Sequence, residues 1–502
     1  MSKMRALPTI ALSVLTLAAG AWFILRACPN SQVRSGLLCV ADSSSTPPQP
    51  KQLPSDSSRP ELVGKPTPGR PSEPLSQPEV SKDLQTRFSR GERTLFGGDG
   101  NLDRDNGVNA FSQKNYQDAI EDFTKAVKTG RNDPEPQIYL NNALAQKQGT
   151  PYMLAVVVPI ESRVDVAKEI LRGAADAQEQ FNQKGEKGDR LLELLIVNDG
   201  NAPQIARQIA AELVKQPSVL GVVGHNSSEA SGAALPEYQK AGLVMISPTS
   251  TSTALKGDTF FRTVPSDRAA GEQLAKHVTT TLKQQQVVIF YDSTDSYSKS
   301  LKDSFEQSFI GKTVVPLVDL AEDADPKVAL EKVKASAPQV QVAMLFPGTQ
   351  TVPRAIAVAR ENAALPEKQR LRLLGGDVLY DNRTLINGGS AIKDLVLAVP
   401  WFANSSYAQT ANDRWGGRIN WRTASAFDAT KALTQTLKTE VTRQQVLAGL
   451  RSLKLTDAET SGNPLEFEPS GDRVEEPILV QAIEGGNRPR GAQFGFEQVT
   501  LP

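Results

Sequence analysis

The sequence predicts an α/β protein of two lobes, each a parallel sheet with helices on both faces, preceded by a short helical unit and an unstructured linker. From residue 150 to about 375, continuous apolar runs alternate with amphipathic helical windows. Uninterrupted apolar strands between helices belong to parallel sheets covered on both sides. The alternation restarts after Arg268, so one stretch holds two sets and hence two lobes. Residues 45–82 are dense in Ser and Pro, with ten prolines from Pro47 to Pro78. Such a segment buries too little apolar surface to offset the entropy of ordering it.

In chain order, residues 153–160 (MLAVVVPI) read as a buried strand, and 164–181 as a helix with Val166, Ile170, Ala174 and Ala177 on one face. A strand at 192–197, a helix at 202–215, a strand at 219–223 (VLGVV), a helix at 230–240 and a strand at 243–246 complete the first set. The second set begins with a helix at 269–282, a strand at 287–291, a helix at 297–309 and a strand at 313–317. It continues with a helix at 326–335, a strand at 340–346, a helix at 352–362 and a strand at 371–375. The domain so defined covers about 150–486. Its first lobe takes about 150–263 and 400–458, its second about 267–399 and 462–486, and 487–502 form a tail.

Residues 1–27 address a membrane. Lys3 and Arg5 precede twenty uncharged residues, 6–25, with Trp22 near their far end. A helix of that length spans about 30 Å, the thickness of a hydrocarbon core. The segment reads either as a retained single-span anchor or as a cleaved signal peptide. Either way the rest of the chain lies outside the cytoplasm. Residues 28–85 form a linker, a semi-rigid spacer, in which Cys28 and Cys39 suit a disulfide in an oxidising compartment.

Between 100 and 149 apolar residues return at helical spacing. The segment GVNAFSQKNYQDAIEDFTKAV resembles one tetratricopeptide repeat, with Gly107, Tyr116, Ala119, Phe123 and Ala126 at matching positions, and a third helix follows Pro134. One and a half repeats cannot bury their own faces, so this unit docks either on the next domain or on a partner.

Composition narrows the chemistry. The 502 residues carry 56 basic and 56 acidic side chains, which argues against a nucleic-acid binder. Two His and two Cys, the pairs far apart in the chain, cannot build a structural zinc site. His225 and His277 lie in no catalytic motif, and no glycine-rich phosphate loop is present. Binding, without cofactor or metal, is the expected class rather than catalysis.

Ligands of such sheets sit beyond the carboxyl ends of the strands, here between two lobes. After 219–223 come Gly224-His225-Asn226-Ser227-Ser228 and a helix, whose start favours an anion such as a carboxylate. A second hydroxyl-rich loop, Ser247-Pro248-Thr249-Ser250-Thr251-Ser252, ends the next strand, and Asp377 follows Gly375-Gly376 in the second lobe. An anion site facing a carboxylate makes a clamp for a zwitterion.

These segments resemble a known family. GVVGHNSSEASGAALPEYQKAGLVMISPTSTST, TFFRTVPSDRAAGEQLAKHV, VVIFYDSTDSYSKSLKDSF, LLGGDVLYD and NPLEFEPSGDR resemble, in order, motifs of type I periplasmic binding proteins of the branched-chain amino-acid group. The resemblance implies a two-lobed receptor for a small amino acid or related amide, closing by a hinge. Ser228, Thr249 and Thr251, with Ser227 beside them, would hold the ligand carboxylate, Asp377 its ammonium, and Tyr297 would line the cleft. Arg163 and Thr349 stand where the family often has aromatics. The implied partners are the amino acid and an ABC permease, with a membrane reached through the amino-terminal helix. A sensor signalling by closure through the helical unit or the anchor is the alternative.

Overall fold

The computed structural model describes residues 82–97, 100–185, 189–313, 317–322, 325–486 and 488–499, and the backbone of a separate antiparallel hairpin, Gln32–Ser35 with Leu38–Ala41. The apolar stretch 6–25, Cys28 and the prolines from 47 to 78 lie outside the described residues. Among the described residues no helix is long and apolar enough to cross a membrane.

The first sheet runs in the order Phe88–Ser89, Leu192–Asn198, Tyr152–Val158, Val219–Val223, Met245–Ser247, Phe260–Arg262. Its five longer strands are parallel, and every residue of Leu192–Asn198 and Val219–Val223 is buried. The second sheet runs Lys312–Thr313, Gln286–Tyr291, Val342–Phe346, Arg372–Gly375, Val396–Val399, Ile478–Glu484, Phe494–Gln498.

Both sheets have the expected parallel centre and add antiparallel strands at their edges. Phe88–Ser89 joins the first sheet antiparallel, and Ile478–Glu484 and Phe494–Gln498 extend the second the same way. Residues 487–502, read from the sequence as a tail, thus supply an edge strand with Phe494 and Phe496 buried in the second core. The strand expected at 313–317 is instead two short pieces, Lys312–Thr313 and Val318–Asp319, both paired with Gln286–Tyr291.

Helix Val164–Lys184 packs against helix Trp421–Thr434, which is buried along its whole length. A Cβ on Gly173 would fall 2.1 Å from the Thr423 carbonyl oxygen, so only glycine allows this approach. The chain crosses between lobes near Thr263, Trp401 and Arg473. A buried knot ties the crossings together. Arg473 Nη1 donates to Asp428 Oδ2 at 3.0 Å and to the Thr263 carbonyl at 2.9 Å. Asp428 also accepts from the Ser461 N–H and hydroxyl, and Trp401 Nε1 donates to the Ser461 carbonyl.

The helical unit comprises Leu102–Ser112, Tyr116–Thr129 and Pro134–Gln148. Its Phe111, Phe123 and Tyr139 share one buried core with Leu154, Val156 and Leu194 of the first sheet. The Asn142 amide donates to the Leu194 carbonyl at 2.8 Å and accepts from the Leu194 N–H at 2.9 Å, and Gln178 donates to the same amide oxygen. Of the two docking surfaces open to it from sequence, the unit covers the neighbouring lobe.

Candidate functional site

The first loop leaves strand Val219–Val223 through Gly224, whose φ of +135° and close approach to the Val157 carbonyl (2.7 Å from a would-be Cβ) admit only glycine. The His225 ring is fully buried, with Nδ1 2.7 Å from Asp199 Oδ2 and Nε2 3.0 Å from the Tyr238 hydroxyl. It anchors the loop rather than facing the cleft. Ser227 is the N-cap of helix Ser228–Lys240, its hydroxyl accepting the Ala230 N–H at 3.2 Å. Ser228 is the first helical residue and is buried.

The second loop is fastened to the first, since the Thr249 hydroxyl donates to the Asn226 carbonyl at 2.7 Å. Arg262 holds it from beneath. Its Nη1 donates to the carbonyls of Ser250 and Ser252, and its Nε lies 2.7 Å from Asp472 Oδ1. Thr251 is buried, and its carbonyl accepts the Asp267 N–H at 2.9 Å.

From the other side come Tyr297, in helix Ser296–Ser308, and Asp377, in a 3-10 turn after strand Arg372–Gly375. Burial lifts the Tyr297 hydroxyl well above the usual phenol range, and the charges of Asp377 and Asp267 add to this. Burial also raises the Asp377 carboxyl, while Tyr297 and Arg422 pull it down. Asp267 is pushed up to about 7, first by burial; the hydroxyls of Ser300 and Thr251 oppose the rise and the Asp377 charge adds to it. The hydroxyls of Thr251 and Tyr297 and one oxygen of Asp267 are buried yet meet no partner in hydrogen-bonding geometry. They face carboxylates without aligning to them. Buried polar atoms left in this state are a sign of an absent hydrogen-bonding group.

The lobes touch around this cluster. Glu229 accepts the Ser296 N–H at 2.6 Å, and Ser300 Oγ lies 2.9 Å from the Thr253 N and 3.1 Å from its hydroxyl oxygen. Asp165 pairs with Arg383 from the far side. A cavity of about 430 Å³ opens at this seam, walled by Ser162, Arg163, Thr349, Val378, Arg383 and Arg422 among others.

Of the six residues expected from sequence, the structure draws Thr251, Tyr297 and Asp377 together around Asp267. Ser228 and Thr249 lie on the two linked loops, and the Ser227 hydroxyl already serves its cap. None of the six walls the cavity, which begins one residue past Asp377, at Val378. Sequence reasoning missed Asp267, Glu229 and Arg422. The first two read as ordinary first-turn acids of helices. Arg422 did carry a signal, since it is the charge nearest the start of an Ala-rich helix that lacks a polar face. Chemically, the arrangement offers a helix start and hydroxyls for an anion and buried carboxylates for a cation.

A sequence profile described as periplasmic binding protein matches residues 152–487. An amino acid binding protein of Pseudomonas aeruginosa is 30% identical over 138 residues, 26% of this chain and 36% of that protein. A leucine-specific-binding protein of Salmonella typhimurium is 30% identical over 142 residues, 27% of this chain and 38% of that one. The match thus spans well under half the length of these relatives. Among solved structures, an ABC transporter substrate-binding protein from Desulfitobacterium hafniense in complex with Leu aligns at a TM-score of 0.57 and 22% identity, over 70% of this chain and 100% of that one. A branched-chain amino acid transporter substrate-binding protein from Streptococcus pneumoniae in complex with isoleucine gives 0.59 and 19%, over 69% and 100%. These relatives are named as binding proteins, not as enzymes. The profile match over two thirds of the residues, with the two-lobed α/β fold common to the solved leucine-binding proteins, places the chain in the periplasmic binding protein family.

Proposed function

We propose that this protein is an extracytoplasmic solute receptor that closes its lobes on a small amino acid and serves ABC-type transport, tethered to a membrane by residues 6–25. The observation that carries the reading is the buried cluster of Thr251, Asp267, Tyr297 and Asp377, in which two hydroxyls and one Asp267 oxygen meet no partner in hydrogen-bonding geometry. In this reading Ser228, Thr251 and the helix start take the ligand carboxylate, with Ser227 and Thr249 shaping the loops that present them. Asp377 takes the ammonium, and Tyr297 closes over it. Each buried polar atom without a partner costs about 1–3 kcal/mol. A ligand that satisfies several therefore favours the closed form by population shift. The names of the relatives support an amino acid as the ligand class. The domain at 150–486 is taken as the receptor, and the helical unit as a spacer resting on it.

The test is the melting temperature of the full chain against the common amino acids. A ligand at a hundredfold over its dissociation constant adds about 2.7 kcal/mol. A selective shift that Asp377→Ala abolishes is expected. No shift with any amino acid would overturn the proposal.

A further inference from the structure

Arg422 is an unusual occupant of a buried helix. It is 7% exposed, yet its guanidinium donates no hydrogen bond among the described residues. The nearest carboxylate, Asp381 Oδ2, stands 4.0 Å from Nη1, and the guanidinium carbon lies 4.3 Å over the Trp421 ring. The side chain instead walls the cavity at the lobe seam. Neighbouring arginines do not leave spare acid for it. Arg163 turns Nε and Nη2 on Asp165, and Arg383 pairs with Asp165 and, at 3.5 Å, with Asp381. Four guanidiniums, those of Arg163, Arg360, Arg383 and Arg422, wall the cavity, against the carboxylates of Asp381, Asp377 and Asp165 around Arg422. The Arg422 nitrogens open onto the cavity with donors to spare. A guanidinium offers a planar fork of donors matched to a carboxylate. No aromatic side chain walls the cavity among the described residues, and Thr349 and Ser162 add hydroxyls. The wall sets these arginines and hydroxyls beside Val352, Pro353, Ile356 and Val378, so it offers a place for a negatively charged group at the end of a short apolar stem.

We propose that the ligand of this cleft carries a second anionic group, so that the site selects a dicarboxylic amino acid over a neutral one, with Arg422 as the specificity-determining residue. The inference rests on the amino-acid reading above. It assigns the α-ammonium to Asp377 and the distal carboxylate to Arg422, across the space that starts at Val378. Asp377 and Arg422 act on one another's charge, so both belong to the same part of the seam.

The experiment is calorimetric titration of the full chain with L-glutamate, L-aspartate, L-glutamine and L-leucine. The wild type is expected to hold one of the two acids at least tenfold more tightly than glutamine or leucine. Arg422→Gln is expected to remove that preference, bringing the affinity for the acid down to that for glutamine. Arg163→Gln, at a more exposed position on the same wall, is expected to weaken the acid several-fold and serves if Arg422→Gln does not fold. Neutral amino acids binding as tightly as the acids in the wild type would overturn this inference and leave the receptor reading standing. So would an acid preference unchanged in a folded Arg422→Gln. Absence of binding by every amino acid would overturn both.

Discussion

Glu229, at the start of a first-lobe helix, accepts the backbone N–H of Ser296, which opens a second-lobe helix, at 2.6 Å and binds its hydroxyl as well. Two helix starts from opposite lobes thus share one carboxylate, a latch placed beside the buried cluster. Hydrogen bonds to a charged group contribute about 1.5–3 kcal/mol. Glu229→Ala should therefore shift the unliganded protein toward an open form by roughly tenfold or more. Small-angle scattering would show a larger radius of gyration without ligand. Unchanged scattering would exclude a latch.

Asp267 predicts a pH dependence. Its carboxyl sits at about 7 in the folded protein, raised chiefly by burial and further by Asp377, against Arg262 and the hydroxyls of Ser300 and Thr251. In the unfolded chain it ionises near about 4. A raised acid contributes stability that is complete below the unfolded value and is lost as pH rises toward about 7. Asp267→Asn should flatten the fall in melting temperature between pH 5 and 8. Asp176 and Glu475, raised to about 6 and about 7, act in the same sense, so the difference between wild type and variant isolates Asp267. An ammonium in the cluster favours the ionised acid, so ligand affinity should climb over the same range. Titrations in buffers of different ionisation enthalpy should register proton release. Identical pH profiles for wild type and Asp267→Asn would refute the assignment.

Asp428→Ala should cost about 1.5–3 kcal/mol, because it removes charged hydrogen bonds to Arg473 and the Ser461 N–H where the chain crosses between lobes and leaves Glu475 as the remaining acid on Arg473. Thermal unfolding measures this. A loss below about 1 kcal/mol, the range of a surface pair, would mean the knot is not structural.

Asn142→Ala leaves the N–H and carbonyl of Leu194 without their partner and should lower stability by about 1–3 kcal/mol. Limited proteolysis should then cut between residues 82 and 148 before it cuts the lobes. Simultaneous cleavage of both would show that the unit is not an independently loosened layer.

The sequence made the parallel core legible because each strand is a short apolar run bounded by glycine or polar residues. Val219–Val223, between Ser218 and Gly224, has the same bounds in both readings. The edges escaped. A two-residue strand such as Phe88–Ser89 has no periodicity to detect, and the residues of Phe494–Gln498 mix glycine and charge among aromatics. In the site, hydroxyl loops after strands were visible as composition, whereas Asp267 and Glu229 were not. An acid in the first turn of a helix is common for reasons of the helix dipole alone. Only the packing of one lobe against the other gives these two a different meaning.

Among the described residues, the bonds that fasten the amino-terminal layer end on one lobe. Leu84 enters the core of the first sheet, Phe88–Ser89 extends its edge, and Asn142 grips Leu194. A mechanical load arriving from residues before 82 therefore enters through that lobe alone. If the lobes close as proposed, the second lobe moves outside that load path, and tension along the chain does no work on the cleft.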